Sequence, residues 1–262
     1  MIIDANVHIS ADGKWYHTPH DASFARLKSN IEEAGIDLAI VVPLPGLISN
    51  TEQKAIIRDE RSMFSACTFN PADYANPKDA ADAFVRDFSE VPKTMVKFHN
   101  RFGKYHPLDE RFIAVIEAND KLNTPMLIGV CGLLHDRNIA SAVNTATYFF
   151  DLAKKIERSQ LVIMHGGGTQ ILQIAELCRD LHHVYIDLSM TVSKYKNTSI
   201  ASDIKWLCHH YDRRMIWGSD FPEVSISESL QDIKNILGEI APEKLNNILG
   251  INIGKLLNIA VN

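Results

Sequence analysis

Residues 1–10 read MIIDANVHIS. A short apolar run leads to Asn6 and His8, and polar residues two apart on a strand project from one face. The same plan, an apolar run closed by polar residues, recurs seven more times. The runs are DLAIVVPLP at 37–45, MFSACTF at 63–69, TMVKFH at 94–99, PMLIGV at 125–130, LVIMH at 161–165, HVYIDLS at 183–189 and RMIWGSD at 214–220. Continuous short apolar runs are the pattern of strands buried on both faces of a parallel sheet.

Amphipathic segments separate the runs. DASFARLKSNIEEAG (21–35) carries Phe24, Leu27 and Ile31 at helical spacing and ends at Gly35. NPKDAADAFVRDFSE (76–90) opens with Asn76 as a cap and Pro77 in the first helical position. Helical spacing continues at 109–122, 138–157, 169–181, 202–211 and 225–238, and residues 242–260 add one or two closing helices. Residues 51–60 are more polar and give the faintest helical pattern of the set. Eight strands, each followed by a helix, in a chain of 262 residues point to a single-domain (β/α)8 TIM barrel over 1–262 with C-terminal helices. An open doubly wound sheet carries an early GxGxxG or GxxxxGK[ST] loop, and the sequence has neither.

Composition narrows the function. A formal net charge of −5 argues against a nucleic-acid footprint, and no apolar run reaches the roughly 20 residues of a membrane span. The amino-terminal residues lack the pattern of a secretory signal. Cys67, Cys131, Cys178 and Cys208 form no CxxC pair, so they read as reduced thiols of a cytoplasmic protein. The expected partner is a small-molecule substrate, with no nucleic acid and no membrane; homo-oligomerisation stays open.

In a (β/α)8 barrel the chemistry sits at the carboxyl ends of the strands. Strand one ends at Asn6 and His8, and strand four at Lys97 and His99, with Arg101 just beyond. Strand six ends at His165, followed by three glycines, and strand eight ends at Asp220. Taken singly, each has an ordinary reading: a turn residue, a solvent-tipped lysine, a helix-capping aspartate. Four strand ends with such residues favour a site. Trp15 and Tyr16, in the first loop, are placed either to stack on a planar substrate or to pack beneath the loop.

The ordered segments IIDANVH, VKFHNRF, LVIMHGGG, IWGSDFP and LNNILGINIGKLLNI resemble the amidohydrolase superfamily over nearly the whole chain. The closest pattern is the amidohydrolase-related branch that includes aminocarboxymuconate-semialdehyde decarboxylase and metal-free pyrone-dicarboxylate lactonase. HGGG also occurs in lipases, but no GxSxG elbow accompanies it here. The resemblance implies a first-strand His-x-His pair and a fifth-strand histidine as metal ligands, an eighth-strand aspartate as ligand and base, and a sixth-strand histidine beside it. Here those positions hold Asn6 and His8, Gly129, Asp220 and His165. The implied catalytic residues are therefore Asp220 and His165, and the implied metal ligands His8 and Asp220, leaving no cofactor or a weakly held divalent metal, zinc before others. Lys97, His99, Arg101, Asn6 and Trp15 are the expected substrate contacts. The implied activity is hydrolysis of a small carboxylated lactone or ester. The alternatives are non-oxidative decarboxylation and a barrel that binds a ligand or partner without catalysis.

Overall fold

The computed structural model describes residues 1–106, 108–133 and 145–260. The strands are β1 (Ile3–Val7), β2 (Leu38–Val41), β3 (Met63–Ser65), β4 (Cys67–Thr68), β5 (Met95–Phe98), β6 (Leu127–Cys131), β7 (Leu161–Met164), β8 (Val184–Asp187) and β9 (Met215–Ile216). All eight expected runs form strands; the third is broken at Ala66 into β3 and β4. The chain divides into two compact units, one of residues 1–66 and 186–262, the other of residues 67–185.

In the first unit β1 pairs with β2 and β2 with β3, all parallel. Ile186 and Asp187 of β8 pair in parallel with β9. The other edge of β1 is taken by the segment that continues from β9: Ala5 N donates to Trp217 O, Asp220 N to Asn6 O and His8 N to Phe221 O. The segment 217–221 therefore lies along β1 with its peptide groups satisfied, as burial demands. The register of β1 against β2 shifts between Asp4 and Val7. Such irregularities re-aim side chains, and Asn6 lies within this one.

Helices cover the unit's strands. Phe24–Ala34 is capped by Ser23 and stopped by Gly35 in the left-handed conformation, and Asn50–Ile57 by a capping box of Ser49 and Glu52. The reciprocal bonds of that box supply what the polar stretch lacks in apolar periodicity. Ile226–Leu237 is capped by Ser225, so the cap of this helix is Ser225 and not Asp220. The closing helices run from Pro242 to Leu256 through one π-helical turn. Asn252 donates to the carbonyls of Asp212 and Met215, fastening the tail to the foot of β9.

In the second unit β4, β5, β6 and β7 form a parallel series in that order. Pro77–Phe88, capped by Asn76, and Glu110–Lys121, capped by Asp109, lie over them. Phe69, Phe84, Phe88, Phe98 and Phe112 meet edge-on or tilted, with centroids 4.7 to 6.4 Å apart. These are the separations at which aromatic pairs add to plain area burial. The helix expected at 138–157 is present as Thr145–Ala153, and the start of that expectation, 138–144, lies outside the described residues. Among the described residues no helix is long and apolar enough to cross a membrane.

Candidate active site

The first unit brings two of the expected residues, Asn6 and His8, onto the carboxylate of a third, Asp220. Asn6 is fully buried and His8 1% exposed. Asn6 Nδ2 donates to Asp220 Oδ1 at 2.7 Å, and His8 Nε2 lies 3.3 Å from the same oxygen. Asp220 has φ 68°, a left-handed conformation that costs an L-residue about 1 kcal/mol. Two bonds hold it there: its own N–H on Asn6 O, and the N–H of Glu223 on the Asp220 carbonyl. Just upstream, Trp217 is fully buried and its indole N–H donates to Ser229 of the helix Ile226–Leu237. A large ring sunk in the core fixes the strand that presents the aspartate.

The donor order follows from chemistry. A carbonyl only accepts, so His8 Nδ1, 2.6 Å from Val42 O, carries a proton. The contact between Nε2 and Asp220 Oδ1 is then attractive when a second proton lies between them, making an imidazolium–carboxylate pair. The same reasoning orients Asn6: facing a carboxylate, its amide must present the NH2 side. Asn6 Nδ2 also donates to Ser189 Oγ at 3.0 Å, and the Ser189 hydroxyl donates to Asp187 Oδ1. Asn6 thus links Asp220 to a second acid on the end of β8.

A third acid lies beneath. Asp4 is fully buried, and its Oδ1 accepts from Ser219 N at 2.9 Å and Asn6 N at 3.2 Å. Burial pushes its carboxyl up to about 7, with the charge of Asp187 adding to the rise and the bonds from Ser219 and Asn6 opposing it.

Trp15 is consumed within this arrangement. It is 3% exposed and stacks on His8 with centroids 5.4 Å apart and planes 19° apart, and its Nε1 donates to Glu223 Oε1 at 3.2 Å. Of the two sequence expectations, packing is what the fold shows. Tyr16 meets Trp15 edge-on and is 36% exposed. Its phenol is pushed well up by burial first, then by the negative charges of Glu223 and Asp220.

The remaining expected residues belong to the second unit. Lys97 is 1% exposed on β5, inside the protein and not solvent-tipped. His99 is also buried; it caps the turn Asn100–Gly103, accepting from Phe102 N at 3.4 Å and stacking on the Phe102 ring. Arg101 is half-buried on that turn. His165 is buried after β7 with φ 59°, and Gly166, Gly167 and Gly168 all continue at positive φ. Only glycine takes three such steps without penalty. Gly129 faces the side chains of Met95 and Met164, and a Cβ there would lie 3.2 Å and 3.6 Å from their sulfurs. A larger side chain at that position would have to displace the flexible end of Met95. β6 also runs on through Cys131, which is buried on the strand itself and does not follow its end.

This donor set does not fit a firmly held zinc. A catalytic zinc takes three protein ligands. Among the described residues no three or more His, Cys, Asp or Glu side chains converge in a way that could hold a metal. Asn6 presents N–H groups, which repel a cation, and Gly129 carries no donor side chain. Sequence reading found Asn6, His8 and Asp220 but missed Asp4, Asp187, Ser189 and Glu223. The signal for the first three was present: Asp4 continues the spacing of Asn6 and His8, and Asp187 and Ser189 close HVYIDLS two residues apart.

The model of a family described as amidohydrolase matches residues 3–259. No curated protein matches the chain significantly. Solved structures do. An uncharacterised TIM-barrel protein from Bordetella bronchiseptica is 16% identical over 98% of both chains, with a TM-score of 0.77. A probable 2-pyrone-4,6-dicarboxylic acid hydrolase from Acinetobacter baumannii, with citric acid bound, is 12% identical over 98% of this chain and 99% of its own, with a TM-score of 0.59. A 5-carboxyvanillate decarboxylase from Sphingomonas paucimobilis is 12% identical over 99% of each chain, with a TM-score of 0.62. At these identities the likeness is one of fold, and with the eight strand–helix repeats it makes the fold class (β/α)8.

Proposed function

Because the chain belongs to the amidohydrolase family, we propose that it is a hydrolase of a small carboxylated molecule, a lactone or ester, with Asp220 as general base. The observation that carries this reading is the convergence of Asn6 and His8 on Asp220 Oδ1. The carboxylate is held at a strand end by a neutral donor and an imidazole, in a conformation maintained against its own backbone preference. Residues kept in strained backbone states by their surroundings cluster at functional sites.

In the proposed reaction Asp220 takes a proton from water as the water oxygen bonds to the acyl carbon. The carbon–oxygen bond to the leaving group breaks, and Asp220 returns the proton to the departing oxygen. Asn6 and His8 hold the carboxylate for both transfers. A metal Lewis acid supplies several kcal/mol of transition-state stabilisation. A site whose donors do not fit a metal suits an acyl group already activated, as in a lactone, over an unactivated amide. The dicarboxylic acid named for one structural relative, and the citric acid bound to it, support a carboxylated substrate. His165, polarising substrate or shuttling a proton, and Lys97, His99 and Arg101, contacting a carboxylate, are proposals on the family resemblance.

The test is Asp220→Asn, which keeps volume and removes the base. Across a panel of carboxylated lactones and esters, the parent turns over at least one member and the variant, with unchanged circular dichroism, loses most of that turnover. Wild-type turnover by the variant refutes the assignment.

A further inference from the structure

The ring of contacts around Asp220 includes one member that no catalytic step uses. Glu223 is an exposed acid three residues beyond Asp220, tied to it by its own N–H on the Asp220 carbonyl. Its carboxylate reaches back to accept from the indole of Trp15 at 3.2 Å. Trp15 lies flat against His8, and His8 addresses Asp220. The path runs from Asp220 through Glu223, Trp15 and His8 and returns to Asp220.

From this closed path we infer that Glu223 is a positioning residue: by holding the Trp15 indole it sets the plane of the His8 imidazole against Asp220. The inference rests on the hydrolase reading above. The bond from Nδ1 to Val42 O fixes one corner of the imidazole. The contact of Nε2 with Asp220 fixes the opposite corner. Because the second torsion of histidine is broad, what limits the ring's tilt about the line through the two nitrogens is a neighbouring face. The stacked indole removes the tilt. Trp15 in turn sits in the loop 11–22, outside any helix or long strand. That loop is drawn together by a bridge between Lys14 and Asp21 and by Ala22 N on Gly13 O. The bond to Glu223 ties the indole to the residues that follow Asp220, so the base and the surface that aligns its partner move as one body. Tyr16, edge-on to Trp15, closes the outer side.

Four variants labelled with 5-fluorotryptophan test this, each read by fluorine NMR and by steady-state kinetics on the substrate found for the parent. Trp15→Phe assigns the Trp15 resonance among the three. Glu223→Gln keeps an acceptor oxygen for the indole and retains the parent's Trp15 resonance and kcat. Glu223→Leu removes the acceptor. Its Trp15 resonance shifts or broadens, and its kcat falls about 10- to 100-fold with KM within twofold, as a small misalignment of a catalytic group does. Asp220→Asn serves as the control. Full activity in Asp220→Asn overturns the hydrolase reading. Loss of activity in Asp220→Asn, with both the Trp15 resonance and kcat of Glu223→Leu at parent values, overturns the positioning role alone.

Discussion

Replacing Asp4 by asparagine is expected to stabilise the protein at neutral and alkaline pH while changing little near pH 4. Asp4 is fully buried under the junction of β1 and the segment 217–221, and its folded carboxyl is pushed up to about 7 against an ordinary value of 3.8. Between those values the folded protein holds a proton that the unfolded chain has released. Stability therefore falls by about 1.4 kcal/mol for each pH unit as pH rises, and levels off above about 7. Over some three units the loss is about 4 kcal/mol, a large part of the ~5–15 kcal/mol by which domains are folded. Asparagine has the shape of the protonated acid. Its oxygen can accept from Ser219 N and Asn6 N as Asp4 Oδ1 does, and its charge does not vary. Urea denaturation of both proteins at half-unit steps from pH 4 to 8.5 is the assay. The variant and parent should coincide near pH 4 and diverge to about 4 kcal/mol in the variant's favour by pH 8. A difference that is flat across the range would show that Asp4 is ionised in the folded state at every pH tested.

Other substitutions probe the neighbouring contacts. Asn6→Asp, which preserves shape, sets a second carboxylate on Asp220 where an N–H···O bond of 2.7 Å now lies. It should cost about 3–5 kcal/mol at pH 8. Part of that should return on acidification, as one of the two acids takes up a proton; equal stability to the parent at pH 8 by urea denaturation contradicts the assigned donor. The isolated protein should carry less than one equivalent of zinc after gel filtration without added metal, measured by elemental analysis. Stoichiometric zinc that survives a mild chelator refutes this. On the same lactone and ester panel, carboxylated members should be preferred, and Lys97→Met or Arg101→Met should erase the preference by raising KM; a preference for neutral members sinks the carboxylate proposal.

How much of this was legible beforehand depends on the range of the forces involved. The strands were readable because a strand buried on both faces leaves a continuous apolar run, a purely local signature. Asn6, His8 and Asp220 were readable as strand-end residues once the parallel repeat was recognised. The break of the third strand at Ala66 was not, since Ala66 N still donates to Val41 O and nothing apolar is interrupted. Ser189 and Asp187 escaped because their part depends on which atom Asn6 meets 183 residues away. The burial of Lys97 and His99, against the ordinary reading of a solvent-tipped lysine and a surface histidine, was not legible, because it depends on what packs around the end of β5. Trp15 was ambiguous for a related reason: whether an indole in a loop is free or occupied is decided by Glu223, 208 residues on.

The three main-chain bonds between β1 and the segment 217–221 also impose an order in time. Ala5, Asn6 and His8 leave the ribosome early, and their partners Trp217, Asp220 and Phe221 follow more than two hundred residues later. At about 5–20 residues per second, the edge of β1 waits roughly 10–40 s for the strand that completes it. Throughout that interval the peptide groups of an apolar strand are open to pairing with any other extended chain. Asp4, Asn6 and, just past its end, His8 are the polar residues the strand carries through that interval. Asn6 and His8, which in the fold meet the Asp220 carboxylate, are during synthesis polar breaks in an otherwise apolar, unpaired strand.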